Sequence, residues 1–201
     1  GIDFGGLRAV DWTFNAWGGL YDGLYFPWAY DDQIAQKICE IEGVDSYRTE
    51  GFVLEGGSIH VDGEGTVMTT EMCLLSPGRN PDMNKEEIEK MLLDYLGCEK
   101  VIWLKDGIDP DETNGHIDDV ACFVRPGEVA CIWTEDKNHP FYEQAQAAYR
   151  FLSGATWRCG RSSWQKRTRA STSPFWRRGG TTRGISRACP TPTIIRIRSF
   201  G

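Results

Sequence analysis

Ser58-Ile-His-Val-Asp-Gly-Glu-Gly-Thr-Val-Met-Thr-Thr70 contains two strand-like runs, residues 58–62 and 66–70, on either side of Gly63-Glu-Gly65. Two short runs joined by a turn that contains glycine predict a β-hairpin. This hairpin is the clearest structural signal in the 201-residue chain, and the neighbouring segments can be interpreted from it.

A helix and a strand follow the hairpin. Asn84 is placed to cap the helix, with Glu87 at the capping-box position and Gly97 just past the last turn. The apolar stripe of this helix contains Ile88, Met91, Leu92, Tyr95 and Leu96. Residues 100–104 predict a short buried strand, so the unit has the order ββαβ.

The same order begins again at Val120. Residues 120–124 and 129–133 predict a second hairpin, and residues 140–152 predict a second helix. The positions expected to face inward on that helix are Phe141, Ala145, Ala148, Tyr149 and Leu152. No closing strand is predicted for this unit, because the sequence changes character directly after the helix.

The segment before the first hairpin fits the end of an earlier unit. Residues 7–14 and 46–53 predict strands, and between them Asp31 or Asp32 can cap a helix that ends at Gly43. One face of this helix carries Ile34, Ala35, Ile38 and Ile41. Units of this size stack around an axis because no single unit can bury its own apolar face.

Composition restricts the class of protein. Hydrophobic residues make up 40% of the chain and no run is long enough to span a membrane, so we expect a protein with a real core and no membrane partner. No signal pattern is present at the N-terminus. The seven cysteines form no CxxC pair, which predicts neither a disulfide framework nor a metal site and favours a cytoplasmic location.

Charge divides the chain near residue 153. Residues 152–201 hold 11 of the 22 basic residues and none of the 29 acids, and they have no helical or alternating pattern. We therefore predict a catalytic domain over residues 1–153, and over residues 154–201 an anomalous basic tail that is disordered or non-native. Our hypothesis is a frame-shifted tail. The alternative is an RNA-binding arm, although we expect no nucleic-acid partner.

Three residues are the best candidates for chemistry. Glu55 lies just before the first hairpin, and His116 lies just before the second, so in a stack of repeated units they share one rim. His116 and Asp118 are two apart and should face one side, with Ile117 facing the other. An imidazole beside carboxylates suits acid/base chemistry on a cation. A solvated acidic turn is the alternative interpretation.

Four segments together resemble the agmatine deiminase family, and they stand in that family's order and spacing. They are Phe14-Asn-Ala-Trp-Gly-Gly19, Leu54-Glu-Gly-Gly-Ser-Ile-His60, Asp62-Gly-Glu-Gly-Thr66 and Asp111-Glu-Thr-Asn-Gly-His-Ile-Asp118. The resemblance covers about residues 1–153. It implies the guanidine-modifying, or pentein, superfamily, which includes bacterial-type peptidylarginine deiminases and whose α/β fold is a five-bladed propeller of ββαβ units. This chain would form part of such a propeller.

The resemblance implies hydrolysis of agmatine to N-carbamoylputrescine and ammonia, a step of putrescine and polyamine biosynthesis. A cysteine attacks the guanidinium carbon to give an amidino intermediate. His116 matches the family's acid/base, Asp118 matches a carboxylate that clamps the guanidinium, and Glu55 matches the acid that orients the histidine. Glu112 and Asp111 are weaker candidates for the amine of the substrate. No metal or organic cofactor is implied, and a homo-oligomer is possible.

Two functional residues of the family pattern have no match in the chain. The family's second guanidinium-binding aspartate is expected upstream of residue 1, and no cysteine here, including Cys159 and Cys189, has the context of the nucleophile. Asn114 stands where an acid is more usual, and Asp119 where asparagine is. We therefore expect the chain alone to be inactive.

Other interpretations remain open. His116 and Asp118 could be structural, Glu55 could accept backbone hydrogen bonds in the Gly56-Gly57 turn, and Trp12, Trp17 and Trp28 could border a pocket or fill the core. His60 and His139 are expected to be structural. The rival functions are a protein-arginine deiminase, which needs an open groove, and an inactive guanidine-binding remnant.

Overall fold

The predicted hairpin and its following elements form one ββαβ unit. In the computed structural model, which describes residues 8–109, 112–154 and the backbone of 193–198, the hairpin consists of β3 (His60–Val61) and β4 (Thr66–Thr70). A short helix α3 (Glu71–Leu74) and the longer α4 (Lys85–Leu96) lead to β5 (Lys100–Leu104). β3 pairs antiparallel with β4, and β5 pairs parallel with it.

Helix α4 forms as its sequence predicts. Asn84 and Glu87 make both hydrogen bonds of the capping box, and Gly97 ends the helix in the left-handed conformation with φ 64°. Ile88 and Leu92 are fully buried. They pack with Phe52, Val67 and Trp103, among others, in a core cluster that joins this helix to the sheet.

The second predicted unit is also present. Its hairpin is β6 (Ala121–Arg125) and β7 (Glu128–Trp133), and its helix is α5 (Tyr142–Ser153). The unit has a third strand, β8 (Thr193–Arg198), so the expectation that no strand follows the helix was wrong. β8 pairs antiparallel with β7, whereas β5 runs parallel to β4. The third strand of the two units therefore differs in direction.

The segment before the hairpin contains β1 (Arg8–Thr13), α1 (Gly19–Asp22), a 3₁₀ turn Asp31–Gln33, α2 (Ile34–Glu42) and β2 (Asp45–Val53). β1 and β2 pair in parallel, with an irregularity after Trp12. A second 3₁₀ turn, Gly56–Ser58, occupies the start of the predicted hairpin strand and shortens β3.

The expected side-chain cap of α2 was wrong. No such cap is present, because the Asp32 carboxylate instead pairs with Arg48 at 2.6 Å and accepts the Phe14 N–H at 2.7 Å. The apolar face of α2 is exposed, since Ile34, Ile38 and Ile41 retain 53, 54 and 81% of their accessible surface. Only a two-stranded sheet accompanies this helix in the described residues, and it does not cover that face.

The described strands form three separate sheets, of two, three and three strands. The mixed α/β class is confirmed, and among the described residues no sheet closes on itself. Cys159 and Cys189 lie outside the described residues. None of the described helices combines the length and the apolar character needed to cross a membrane.

Candidate active site

The loops before the two hairpins meet at one cleft of about 520 Å³. Three of the four motif segments, 14–19, 54–60 and 111–118, contribute to the cleft and are called the motif loops. The cleft is lined by residues of these loops and their neighbours: Val10, Trp12, Phe14, Trp17, Asp31, Ala35, Leu54, Glu55, Gly56, Gly57, Thr113, His116 and Asp118. The prediction that Glu55, His116 and Asp118 lie together is therefore confirmed. The volume of the cleft suits a small ligand.

Gly57 brings the imidazole and the exposed carboxylate close together. A Cβ atom on Gly57 would lie 2.5 Å from His116 Nδ1 and 2.7 Å from Asp118 Oδ2. The Asp118 N–H also donates to the Gly57 carbonyl at 3.3 Å. Ile117 between them is fully buried in the core and does not line the cleft, as predicted, although residues 117–120 form a bend and a turn in place of a strand. Only glycine leaves room for both side chains on this backbone.

Glu55 faces Nε2, the second ring nitrogen of His116. Its Oε2 lies 3.8 Å from His116 Nε2, and both side chains are more than nine-tenths buried. Neither atom has a hydrogen-bond partner among the described residues. Buried polar atoms are nearly always paired, and exceptions are frequent at functional sites. The two unpaired atoms make this pair a candidate for proton exchange.

Arg79 holds the site together, although no sequence motif pointed to it. Its Nε lies 2.7 Å from Glu55 Oε1, and its side chain is fully buried. The guanidinium also donates to Asn114 Oδ1 at 2.7 Å, to the Thr113 carbonyl at 3.0 Å and to the Trp17 carbonyl. One buried cation thus fixes the carboxylate and two of the motif loops.

Cys73, which is also fully buried, lies behind the cleft. Its sulfur, one carboxylate oxygen of Glu55 and one ring nitrogen of His116 all lie within 4.8 Å of one another. Burial raises the pKa of the Cys73 thiol to about 12, the Glu55 carboxylate adds to this rise, and Arg79 opposes it. The neutral thiol is the stable form here, which is unlike an activated nucleophile.

Thr70 explains how Cys73 comes so close to the histidine. Its hydroxyl accepts the Cys73 N–H at 3.1 Å, which caps α3, and donates to the Gly115 carbonyl at 2.8 Å. The helix that carries Cys73 and the loop that carries His116 are therefore joined through one buried side chain. Helix α3 has no sequence signature, since four residues give no periodic signal.

Some of the other residues considered for the site line the cleft, and others do not. Glu112 is exposed and does not line the cleft, whereas Asp31, which was predicted only as a helix cap, does. Asp111 lies outside the described residues. Of the three tryptophans, Trp12 and Trp17 line the cleft and Trp28 does not.

The other two histidines have structural contacts. His60 Nδ1 accepts the Phe123 N–H at 3.2 Å, which joins the two hairpins. His139 Nδ1 accepts the Phe141 N–H, also at 3.2 Å, just before α5. Both contacts agree with the structural roles predicted for these residues, which stay predictions.

The buried thiols predict how stability depends on pH. The pKa of Cys73 and that of Cys131 are both raised by burial from 9.0 to about 12. The folded chain therefore retains these two protons where the unfolded chain has lost them. Their contribution to stability is complete below pH 9 and is lost as the pH rises towards 12.

We expect the free energy of unfolding, measured by urea denaturation at a series of pH values, to fall across this interval. Cys131→Ala should flatten the decline, because it removes one of the two thiols whose pKa is raised. An equal slope in the wild-type chain and in Cys131→Ala would contradict the assignment.

One buried imidazole and several carboxylates line a cleft in a mixed α/β protein whose first complete unit has the order ββαβ. The family model described as Porphyromonas-type peptidyl-arginine deiminase matches residues 3–167, and the chain belongs to that family. The match extends past the predicted boundary at residue 153. The division into a domain and a basic tail stays a prediction.

Individual proteins named agmatine deiminase are also similar to this chain. The chain is 74% identical to the solved structure of agmatine deiminase of Enterococcus faecalis, with a TM-score of 0.73, over 75% of this chain and 41% of that one. It is 61% identical over 148 residues to the agmatine deiminase of Ectopseudomonas mendocina, covering 74% of this chain and 40% of that protein.

A more distant structure has the same fold. The agmatine deiminase of C. jejuni is 32% identical, with a TM-score of 0.61, over 71% of this chain and 41% of that one. The chain thus spans about two fifths of the length of the relatives it matches.

Proposed function

We propose that this chain carries the acid/base and guanidinium-binding part of an agmatine deiminase, a cytoplasmic hydrolase of putrescine biosynthesis with a five-bladed propeller fold. The observation that carries the proposal is the convergence of Glu55, His116 and Asp118 around Gly57. The identity of 61–74% to proteins named agmatine deiminase supports it.

Binding of the substrate would rest on carboxylates. A guanidinium ion is planar and has several N–H donors, so carboxylate oxygens that accept in its plane hold it best. Asp118 is exposed at the cleft and is the proposed clamp. Asp31 lines the same cleft and is the described acid best placed for the amine of agmatine, ahead of Glu112.

His116 would transfer protons in both halves of the reaction. A cysteine thiolate forms a bond to the guanidinium carbon, and the C–N bond to the departing ammonia breaks as the imidazolium gives up its proton. The neutral imidazole then takes a proton from water, whose oxygen bonds to the same carbon while the C–S bond breaks. Glu55, 3.8 Å from Nε2, stabilises the imidazolium.

The cysteine of this reaction has no match in the chain. Cys73 is the described cysteine close to His116, but its raised pKa of about 12 favours the neutral thiol. We therefore assign Cys73 no nucleophilic role. The chain is proposed to bind the guanidinium group and not to turn it over alone.

We expect the chain to bind agmatine and Asp118→Asn to raise the dissociation constant by about 10- to 100-fold, because a hydrogen bond to a charged group contributes roughly 1.5–3 kcal/mol. Isothermal titration calorimetry measures this change. Asp106→Asn removes the same charge at an exposed position outside the cleft and serves as the control.

The same titration separates the rival functions. The family description favours a peptidyl-arginine deiminase as the second candidate. Tighter binding of a peptide with an internal arginine than of agmatine would support that candidate and contradict ours. An assay for ammonia and N-carbamoylputrescine separates binding from turnover.

A further inference from the structure

We propose that Glu55, Cys73 and His116 form a site for a thiophilic divalent cation, with Zn²⁺ as the expected ion. The three ligand atoms all lie within 4.8 Å of one another, and each side chain is at least nine-tenths buried. This site overlaps the cleft but includes a residue, Cys73, that the proposed reaction does not use.

The donor set selects the class of ion. A thiolate, an imidazole and a carboxylate are the ligands that Zn²⁺ takes, whereas Mg²⁺ and Ca²⁺ prefer oxygen alone. Tetrahedral Zn²⁺ at its usual bond lengths holds a nitrogen and an oxygen ligand roughly 3.3–3.5 Å apart, and a sulfur about 3.6 Å from each. His116 Nε2 and Glu55 Oε2 are 3.8 Å apart, and all three ligand atoms lie within 4.8 Å of one another. Inward shifts of about 1 Å or less would complete the geometry.

Two of the ligand atoms are free to accept the ion. Glu55 Oε2 and His116 Nε2 are buried and have no hydrogen-bond partner within the part of the chain that the structure describes. Arg79 lies against the other carboxylate oxygen, Oε1. The buried guanidinium therefore fixes the orientation of Glu55 and leaves Oε2 directed at the imidazole.

Access and charge are both compatible with an ion. Glu55 and His116 line the cleft, so an ion can reach them from solvent, and Cys73 lies behind them. Arg79 repels a cation, but the Glu55 carboxylate lies 2.7 Å from its Nε and balances that positive charge. Binding would form a Zn–S bond and release the Cys73 proton to solvent, which adds a further negative charge.

The consequence for function is inhibition. A metal ion on His116 Nε2 occupies the atom that faces Glu55, so the imidazole could not protonate a leaving group or accept a proton from water. This consequence rests on the proposed function, whereas binding of the ion does not.

Titration of the full chain with Co²⁺, a spectroscopic probe for Zn²⁺ sites, tests the proposal. We expect a thiolate-to-cobalt charge-transfer band that Zn²⁺ removes by competition. Cys73→Ser should abolish the band, and His116→Gln should weaken Co²⁺ binding by at least about 10-fold. Cys131→Ser and His139→Gln, at the matched buried thiol and buried imidazole, should leave the band and the affinity unchanged. A band that persists in Cys73→Ser would overturn the site.

A second measurement needs no substitution and so does not depend on the folding of a variant. X-ray absorption of the Zn²⁺-loaded chain should show one sulfur ligand together with nitrogen and oxygen ligands. A spectrum with nitrogen and oxygen ligands alone would also overturn the site. Agmatine titration of the same chain separates the two proposals, since a chain that binds Zn²⁺ but not agmatine retains this site and refutes the proposed function.

Discussion

Replacing Arg79 by methionine is expected to lower the free energy of unfolding by about 3–5 kcal/mol, because it leaves the Glu55 carboxylate buried without its counter-charge. The same change removes hydrogen bonds to Thr113, Asn114 and Trp17. Urea unfolding, followed by tryptophan fluorescence, measures the loss. Arg150→Met, at an exposed position of α5, is the control and should change stability little.

Two further variants separate charge from geometry. Arg79→Met combined with Glu55→Gln should be more stable than Arg79→Met alone, because the buried charge is then removed together with its partner. Arg79→Lys should recover only part of the loss, since an ammonium group cannot reach the same acceptors as a planar guanidinium. If Arg79→Met unfolded at the same urea concentration as the wild-type chain, the ion pair would not be the support that the structure indicates.

Local patterns predicted much of the fold because the forces that form these elements act over a few residues. The capping box of Asn84 and the left-handed Gly97 are encoded within one helix, and α4 begins and ends where they predict. The hairpin turns are local in the same way. The meeting of Glu55 with His116 was predictable for another reason, because each precedes the same element of a repeated unit.

Arg79 and Cys73 could not be predicted from these patterns. Arg79 follows Pro77 and Gly78 in a loop, where a charged residue ordinarily lies in solvent. Its burial depends on acceptors contributed by loops distant in the chain. Cys73 lies in a helix of four residues whose only signal is the Thr70 cap. Both positions are determined by tertiary contacts between motif loops.

The exposed face of α2 shows what a periodic pattern cannot predict. The spacing of Ile34, Ile38 and Ile41 correctly places them on one helical face, but periodicity does not say what covers that face. Asp32 illustrates the same point for capping, since its carboxylate pairs with Arg48 of β2 in place of the helix N-terminus. The ion pair between Asp32 and Arg48 replaces the helix cap that was expected from the local sequence.

Gly57→Ala is expected to weaken agmatine binding by at least about 10-fold while the chain remains folded. The added methyl group would lie 2.5 Å from His116 Nδ1 and 2.7 Å from Asp118 Oδ2, so both side chains must move away from their present positions. These are side-chain atoms, and the backbone can keep its course. The cost therefore falls on the geometry of the site, where a small displacement has large effects on binding and catalysis.

Gly56→Ala provides a matched control one residue away. A Cβ atom on Gly56 meets no other atom within 4 Å, so this variant should leave the His116 and Asp118 side chains in their present positions. The histidine ring resonances in NMR spectra give a second readout that needs no ligand, because Gly57→Ala should shift the His116 signals and Gly56→Ala should not. Unchanged His116 signals in Gly57→Ala would mean that the imidazole does not lie against this glycine, and the shared position of Glu55, His116 and Asp118 would then have to be abandoned.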